Sequence, residues 1–346
     1  MNQDKPINIC ITGAAGNIAY AMYPLLCSGQ IFGPNQHMNI RLLDIEVQKK
    51  ILEGVVMELH DCAFELVNSI EYGFEPEKMF KDIDIGIFLG GESRRPGMER
   101  RDLLQVNYKI FKNQGRVLNK MAKQTTKILV IANPVNTNCL VLLENCPNIP
   151  KKNFSCLTRL DHNRALAQLS IKAQTKIENV KNVIIWGNHS STLYPDHNHA
   201  IIGQEKAINM FDEQWINNHF IPKIQKRGGE VLKARQNSSV LSAAVAIKDH
   251  LKNWIFGTKD GEFVSMGVYC DGSFYGLPQN FVFSVPVICK NFDYEVVKDL
   301  QISEVQKNRI MDSLKELQEE KEETLLEDNE NIDDEEQNGE QQQNNS

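Results

Sequence analysis

Short apolar runs alternate with helical patterns through the first half of the chain. They predict strands at 7–13 (INICITG), 37–45 (HMNIRLLDI), 82–91 (DIDIGIFLGG) and 127–134 (KILVIANP). Helical spacing of apolar residues predicts helices at about 17–27 and 98–122, between these strands. Because buried strands that alternate with helices form parallel sheets with right-handed crossovers, this half predicts a doubly wound, Rossmann-type α/β domain.

The second half of the chain mixes helices with strands that resemble hairpins. The pattern predicts helices at 158–175, across 207–251 and from Glu304 onward, and strands at 182–189 and 280–289. Residues 262–278 predict two further strands around the turn signal DGS. We therefore predict two domains, a doubly wound parallel domain at 5–155 and a mixed α+β domain at 156–325, followed by a tail at 326–346.

The negative charge of the chain is concentrated at its end. The formal net charge is -7, but the residues from Glu316 onward contain thirteen acids and one lysine. The tail at 326–346 is acidic, then rich in Gln and Asn, and has no aromatic residue, which predicts disorder. The remaining body is mildly basic, which suits anionic ligands. Its basic residues are dispersed, and no aromatic–basic motif accompanies them, so no nucleic-acid partner is predicted.

Composition also narrows the compartment and the chemistry. No apolar run reaches the roughly 18 residues of a membrane span, so no membrane partner is predicted. The opening residues, MNQDKPINICIT, have neither a signal-peptide nor a transit-peptide pattern, which favours the cytoplasm. The eight cysteines form no C-x-x-C pair and no zinc-like spacing with histidine. They predict reduced core thiols and no metal site.

A glycine turn joins the first strand to the first helix. In TGAAGNIAYAM, Gly13, Gly16 and Ala19 follow the pattern G-x-x-G-x-x-A. Glycine lets a pyrophosphate approach the backbone, and the helix N-terminus offers N–H donors, although a purely structural turn can also carry two glycines. Asp44, at the end of the second strand, can accept from a ribose hydroxyl and repel a 2′-phosphate. A helix-capping role is the alternative for Asp44, but the two features together favour a dinucleotide domain and NAD over NADP.

Three residues of the second half suggest an acid–base site. Asp161 and Arg164 are three positions apart in CLTRLDHNRALAQL and share one face of a helix, and His189 follows a predicted strand. Taken singly, they could be a surface ion pair and a turn histidine. Together they provide an aspartate that orients a histidine beside an arginine that can hold a carboxylate, as hydride transfer to a 2-keto acid requires.

A short segment of the first half crowds positive charge together. GGESRRPGMERRD, at 90–102, contains the arginines at positions 94, 95, 100 and 101. A solvated basic loop and an anion-binding site are both compatible with this pattern.

Six motifs resemble one family closely. TGAAGNIAY, RRPGMERRDLL, ANPVNTNCL, NFSCLTRLDHNRA, VKNVIIWGNHSST and GEFVSMGV are similar to the malate dehydrogenases of the cytosolic type, within the lactate/malate dehydrogenase superfamily. The resemblance covers about residues 5–325. It implies an NAD-dependent enzyme that interconverts malate and oxaloacetate, a homodimer, and no metal.

The resemblance also implies roles for individual residues. His189 would donate a proton to oxaloacetate or accept one from malate, and Asp161 would orient it. Arg100 would polarise the keto oxygen. The implied substrate-binding residues are Arg94 for the distal carboxylate, Arg164 for the carboxylate beside the reacting carbon, Arg100, Asn133 and Ser242. The implied cofactor-binding residues are Gly13, Ala14, Ala15, Gly16, Asn17, Ile18, Asp44, Asn107, Gln114 and Asn133.

The chain departs from the family just before its arginines. Glu92 and Ser93 stand where the family commonly has an apolar residue and a proline, which predicts weaker substrate affinity. Two other classes stay open. A short-chain dehydrogenase needs a Tyr-x-x-x-Lys pair at mid-chain, and the matches at 108–112 and 294–298 lie elsewhere. A catalytically weak homologue could instead serve as a structural or interaction protein, with the tail as its contact.

Overall fold

The computed structural model describes residues 5–92 and 98–343, without the side chains of Arg100 and 325–343. The strands are β1 Ile7–Thr12, β2 Met38–Leu43, β3 Val67–Gly73, β4 Ile85–Phe88, β5 Lys127–Val130, β6 Phe154–Cys156, β7 Val180–Lys181, β8 Ile184–Trp186, β9 Tyr194–Asp196, β10 Ile201–Ile202, β11 Glu205–Lys206, β12 Val264–Cys270, β13 Phe281–Lys290 and β14 Asp293–Val296. The α-helices are α1 Asn17–Cys27, α2 Lys49–Asp61, α3 Pro76–Met79, α4 Arg100–Met121, α5 Val135–Glu144, α6 Arg159–Lys172, α7 Glu213–Trp215, α8 Ile221–Arg235, α9 Leu241–Phe256 and α10 Glu304–Gln343.

One nine-stranded sheet runs through both halves of the chain. Its order is β14-β13-β12-β6-β5-β4-β1-β2-β3. Strands β1 to β6 are parallel and have the order 3-2-1-4-5-6, which confirms the predicted Rossmann-type domain. Strands β12, β13 and β14 extend the sheet antiparallel, so the mixed second half is confirmed as well.

The two halves of the sheet meet where β6 pairs with β12. Gly267 lies opposite Cys156 there. A Cβ atom on Gly267 would lie 2.0 Å from the Sγ atom of Cys156, so this junction admits only glycine. The close approach lets the C-terminal strands continue the N-terminal sheet.

Apolar cores cover both faces of the sheet. Ile9 and Ile11 of β1 pack into one cluster, whereas Cys10 between them packs into the other, as the alternation of strand side chains requires. The first cluster contains the fully buried Trp186 and Trp254. Full burial of one large apolar side chain contributes about 1.5–3 kcal/mol to the free energy of folding. These cores therefore hold the strand ends, and the loops that follow them, in place.

Helix α10 continues into the predicted tail. Its backbone is helical to Gln343, across most of the segment at 326–346 for which the sequence predicts disorder. Glu and Gln have high helix propensity, a factor that the composition argument did not include. The disorder of this segment stays a prediction, and residues 344–346 lie outside the described part of the chain.

The predicted hairpin around DGS is wrong in its second strand. Strand β12 ends at Cys270, and β13 begins only at Phe281, so the intervening residues form a loop. Phe274 and Leu277 are buried and anchor this loop. Because these residues are apolar, the sequence of the loop resembles that of a strand. The backbone has positive φ at Tyr275, which interrupts an extended strand.

The cysteines are all free thiols. Seven are buried, as predicted for core thiols, and Cys62 is exposed. Burial raises the pKa of the Cys146 thiol to about 12, which keeps it protonated and unreactive near neutral pH. Within the described ranges, no helix is both long and apolar enough to cross a membrane. The same ranges contain no group of three or more His, Cys, Asp or Glu side chains arranged to bind a metal ion.

Candidate active site

The carboxyl ends of β1 and β4 open a crevice in the sheet. These strands are neighbours, but the chain continues from β1 toward β2 and from β4 toward β5, on opposite sides. Ligands of open α/β sheets bind at such a switch point. Gly13 follows β1 and Gly90 follows β4, so the predicted glycine turn lies at this crevice.

The geometry at Gly13 fits a bound phosphate. Its φ is +66°, and a Cβ atom there would lie 2.6 Å from the backbone nitrogen of Gly90, so no larger residue can occupy the position. Helix α1 begins after Gly16 without a side-chain cap and without an acidic residue in its first turn. Its N-terminal N–H groups and positive dipole end therefore suit a pyrophosphate.

Asp44 connects the glycine turn to the second strand. Its Oδ2 atom accepts a hydrogen bond from the backbone N–H of Ala15 at 2.8 Å, and Oδ1 accepts one from Ile45 at 2.8 Å. The next helical turn has Ile45 as its N-cap, without a side-chain cap, so Asp44 does not cap it. Each carboxylate oxygen can accept a second bond, which a ribose hydroxyl could supply.

A histidine and an aspartate from different elements meet at 2.5 Å. Asp161 is in the first turn of α6, which follows β6, and His189 lies just beyond β8. The Nδ1 atom of His189 is 2.5 Å from Oδ2 of Asp161. Asp161 is 1% exposed and the His189 side chain 24%, so the imidazole retains a solvent-accessible edge.

The pKa of His189 is raised and that of Asp161 is lowered, as expected for an ion pair. Burial lowers the pKa of His189, but the charge and hydrogen bond of Asp161 outweigh burial and raise it above its ordinary value. Burial raises the pKa of Asp161, but His189 and then Arg164 outweigh it and lower that pKa. His189 thus becomes a better proton carrier near neutral pH, and Asp161 stays ionised.

Arg164 joins the pair through the other oxygen of the same carboxylate. Its Nη1 atom lies 2.8 Å from Oδ1 of Asp161, and its Nη2 atom donates to Oγ of Ser239 at 3.2 Å. The structure thus brings together all three residues on which the sequence argument depended. Ser242, for which the resemblance implies a place in the pocket, is exposed at the start of α9, and that role stays a prediction. The nearby Ser239 contacts Arg164.

Asn136 holds the backbone at His189 and was missed by the sequence argument. Its Oδ1 atom accepts from the backbone N–H of His189 at 2.9 Å, and its Nδ2 atom donates to the carbonyl of Val282 at 3.0 Å. Asn136 is fully buried in α5. A buried asparagine in an apolar helix was the available signal, because such an amide needs polar partners.

Asn107 is fully buried beneath the segment that follows β4. Its side chain accepts from the backbone N–H of Glu92 at 2.8 Å and donates to the carbonyls of Glu92 and Asn133 at 3.1 and 3.2 Å. Its amide is thus engaged with the backbone, and the predicted place of this side chain along a cofactor stays a prediction. Asn133 is exposed after β5, and Gln114 is partly buried in α4.

Two of the predicted substrate arginines cannot be described in full. Arg94 and Ser93 lie outside the described residues, and only the backbone of Arg100 is described, at the first position of α4. The weaker affinity expected from Glu92 and Ser93 therefore stays a prediction. The neighbouring Arg101, which had no predicted role, lies 3.0 Å from Glu323 of α10 through its Nε atom.

The fold and the site define a dinucleotide-dependent dehydrogenase of 2-hydroxy acids. Residues 7–155 match the family model of the lactate/malate dehydrogenase NAD binding domain, and residues 158–327 match that of the alpha/beta C-terminal domain of the same family. The chain belongs to the lactate/malate dehydrogenase family, and its cofactor is NAD. Because the chain belongs to this family, it is not a short-chain dehydrogenase.

Its relatives include malate and lactate dehydrogenases. The chain is 48% identical to the cytoplasmic malate dehydrogenase of Rattus norvegicus, over 92% of this chain and 97% of the relative. The malate dehydrogenase structure from Naegleria fowleri has a TM-score of 0.90 and 42% identity, with 93% of this chain and 99% of that chain covered. The Trichomonas vaginalis lactate dehydrogenase in complex with NADH and oxamate has a TM-score of 0.89 and 33% identity, with 93% and 98% covered.

Proposed function

We propose that the protein is an NAD-dependent malate dehydrogenase that interconverts malate and oxaloacetate in the cytoplasm. The observation that carries the proposal is the single carboxylate of Asp161, which contacts both His189 and Arg164. Relatives named cytoplasmic malate dehydrogenase, at 48% identity over nearly the whole chain, support the substrate and the compartment. No specific observation favours the catalytically weak interaction protein.

His189 transfers the proton. Its Nδ1–H is held by Asp161, so Nε2 is the nitrogen that carries the proton to the keto oxygen of oxaloacetate. The same nitrogen accepts the hydroxyl proton of malate in the reverse direction. Bound NADH supplies the hydride that adds to the keto carbon. Asp161 fixes the tautomer of His189 and stabilises its charged form, as in other acid–base pairs.

The arginines neutralise a dicarboxylate. We assign Arg164 to the carboxylate next to the reacting carbon, because its planar fork has five N–H donors and two of them suffice for Asp161 and Ser239. We assign Arg100 to the keto oxygen and Arg94 to the distal carboxylate, on the resemblance alone. Arg94 then selects oxaloacetate over monocarboxylates.

The cofactor binds at the switch point between β1 and β4. We assign its pyrophosphate to the glycine turn, formed by Gly13, Ala14, Ala15, Gly16, Asn17 and Ile18. Asp44 accepts from the ribose, and Gln114 and Asn133 line the cofactor side of the cleft. Ser242 lines the substrate side. Asn107 lies along the cofactor in this proposal and also supports the Glu92 backbone, to which its amide is hydrogen-bonded.

We further propose a homodimer that covers an exposed apolar surface. Tyr20 of α1 and Leu241 of α9 line one surface depression and are 50% and 70% exposed. On the neighbouring helix α2, Ile51 and Met57 are 56% and 65% exposed. Clusters of exposed apolar side chains mark interfaces.

We also propose that the chain divides into domains at 5–155 and 156–325, followed by a disordered tail at 326–346.

A steady-state survey of substrates and cofactors tests the function. Oxaloacetate and pyruvate are compared with NADH and with NADPH, by the loss of absorbance of the reduced cofactor. We expect the highest kcat/KM for oxaloacetate with NADH. A preference for pyruvate contradicts the substrate assignment, and equal rates with NADPH contradict the assignment of Asp44.

A further inference from the structure

The side-chain amide of Asn188 lies between two buried carboxylates of α10. Its Nδ2 atom donates to Oε2 of Glu316 at 3.1 Å and to Oε1 of Glu320 at 3.0 Å. Asn188 is 2% exposed, and Glu316 and Glu320 are 8% and 4% exposed. Because an amide nitrogen has two N–H donors, the two carboxylates use both and fix the orientation of this side chain.

Hydroxyl groups supply further hydrogen bonds to the same carboxylates. Glu316 accepts from Ser190 and from Thr192, the latter at 2.6 Å. Glu320 accepts from Thr137 of α5. A buried carboxylate is costly unless hydrogen bonds compensate for lost hydration, and these donors provide that compensation. The two glutamates thus bind α10 to the segment that contains the histidine.

These contacts restrain the backbone next to His189 from two sides. The backbone N–H of Asn188 donates to Oγ of Ser313 in α10 at 2.8 Å. The following N–H, that of His189, donates to Asn136 of α5. With the Nδ1 atom of the imidazole held by a carboxylate as well, the backbone position determines where the proton-carrying Nε2 atom points.

Apolar side chains also attach helix α10 to the core. Ile310, Leu314 and Leu317 are buried in the first core cluster. Apolar packing thus holds the helix against the body in addition to the contacts of the buried carboxylates. The hydrogen bonds of Glu316 and Glu320 reach the polar residues beside His189. The two glutamates can therefore position the histidine, whereas the apolar residues pack the helix.

We propose that Glu316 and Glu320 are positioning residues for His189, acting through Asn188. The inference rests on the proposed function, because it extends the proton transfer assigned to His189. A displacement of about 1 Å at a reacting group can reduce a rate about a hundredfold. Two carboxyl acceptors on one amide restrict such displacement more than a single hydrogen bond would.

The test compares three variants of the full chain: Glu320→Ala, Glu320→Gln and Glu319→Ala. The alanine variant of Glu320 removes both acceptor oxygens. The glutamine variant keeps one acceptor for Asn188 and presents an amide N–H to Thr137, whose hydroxyl can accept it. Glu319 is exposed on the same helix and is the matched control. The measurements are kcat and KM for oxaloacetate, the Kd for NADH by fluorescence, and the Tm.

We expect Glu320→Ala to lower kcat by about tenfold or more through misplacement of the histidine, and to leave the Kd for NADH within about twofold. Glu320→Gln should recover most of the lost kcat, and Glu319→Ala should equal the unsubstituted protein. A folded Glu320→Ala variant with unchanged kcat overturns the proposal. Should that variant not fold, Glu320→Asp replaces it, since the shorter carboxylate withdraws from the amide, and an unchanged kcat is again decisive. An unsubstituted protein that does not turn over oxaloacetate would instead contradict the proposed function.

Discussion

The Nδ1 atom of His189 lies 2.5 Å from Oδ2 of Asp161, although the two residues are 28 positions apart and belong to different elements. The charge and hydrogen bond of Asp161 raise the pKa of His189 against the effect of burial. Since the same carboxylate also contacts Arg164, it sets both the proton donor and the arginine assigned to the substrate.

Replacing Asp161 by Asn should reduce activity severely while the fold survives. The amide has a similar shape, but it is neutral and can present its NH₂ group to Nδ1. The tautomer and the charged form of His189 then lose their support. We expect kcat for oxaloacetate reduction to fall by about 10²- to 10⁴-fold, the range of general acid–base catalysis. A variant with near-normal kcat would show that Asp161 has no part in proton transfer.

The two directions of the reaction should have opposite pH dependence. Reduction needs protonated His189, so kcat/KM for oxaloacetate should be highest below the pKa of His189 and fall as pH rises through it. Oxidation of malate needs the neutral imidazole and should rise over the same range. This pKa lies above the ordinary 6.5 because of Asp161. In Asp161→Asn, the pH at which the activity changes should therefore be lower. An unchanged pH profile would refute the role assigned to Asp161.

The close approach of Gly13 to Gly90 should make Gly13 intolerant of any side chain. Gly203 is a matched control, because its φ of +64° is close to the +66° of Gly13, but nothing lies within 4 Å of an added Cβ. We expect Gly203→Ala to lower the free energy of unfolding by about 1 kcal/mol through backbone strain alone. Gly13→Ala should lower it by clearly more and weaken NADH binding. Urea unfolding and the Kd for NADH measure both, and equal effects of the two substitutions would contradict the role given to the contact.

Replacing Arg94 by Gln should shift substrate preference toward monocarboxylates. Loss of one charged partner for the distal carboxylate should reduce kcat/KM for oxaloacetate about 10- to 100-fold, the effect of a charge-assisted hydrogen bond. The value for pyruvate should fall less or rise. The ratio of the two kcat/KM values is the measurement, and a ratio that does not change would remove Arg94 from the substrate site.

The sequence predicted the elements whose hydrophobic pattern is simple. Helix α1 has the predicted bounds, and the parallel strands β1, β2, β4 and β5 lie within the predicted runs. Strand β3 was not predicted, because it is the edge strand and most of its residues are partly or fully exposed. Helix α5 was missed for the opposite reason, since nearly all of it is buried and no polar face reveals its period.

The site could be predicted only where one short motif carries the chemistry. The pattern around Asp161 and Arg164 and the histidine after β8 identified the acid–base group, and the structure brings these three together. The contact of Asn188 with Glu316 joins residues 128 positions apart, so no local spacing contains it. In the sequence, Glu316 belongs to the acidic end of the chain, whereas the fold buries it behind the active site.

Oxaloacetate-dependent oxidation of NADH by the unsubstituted protein and by His189→Asn, at the same enzyme concentration near neutral pH, tests the central claim most directly. The account predicts turnover by the unsubstituted protein and a loss of about 10²- to 10⁴-fold in the variant, with NADH still bound, because only the proton donor is removed. Rates that do not differ between the two proteins would contradict it.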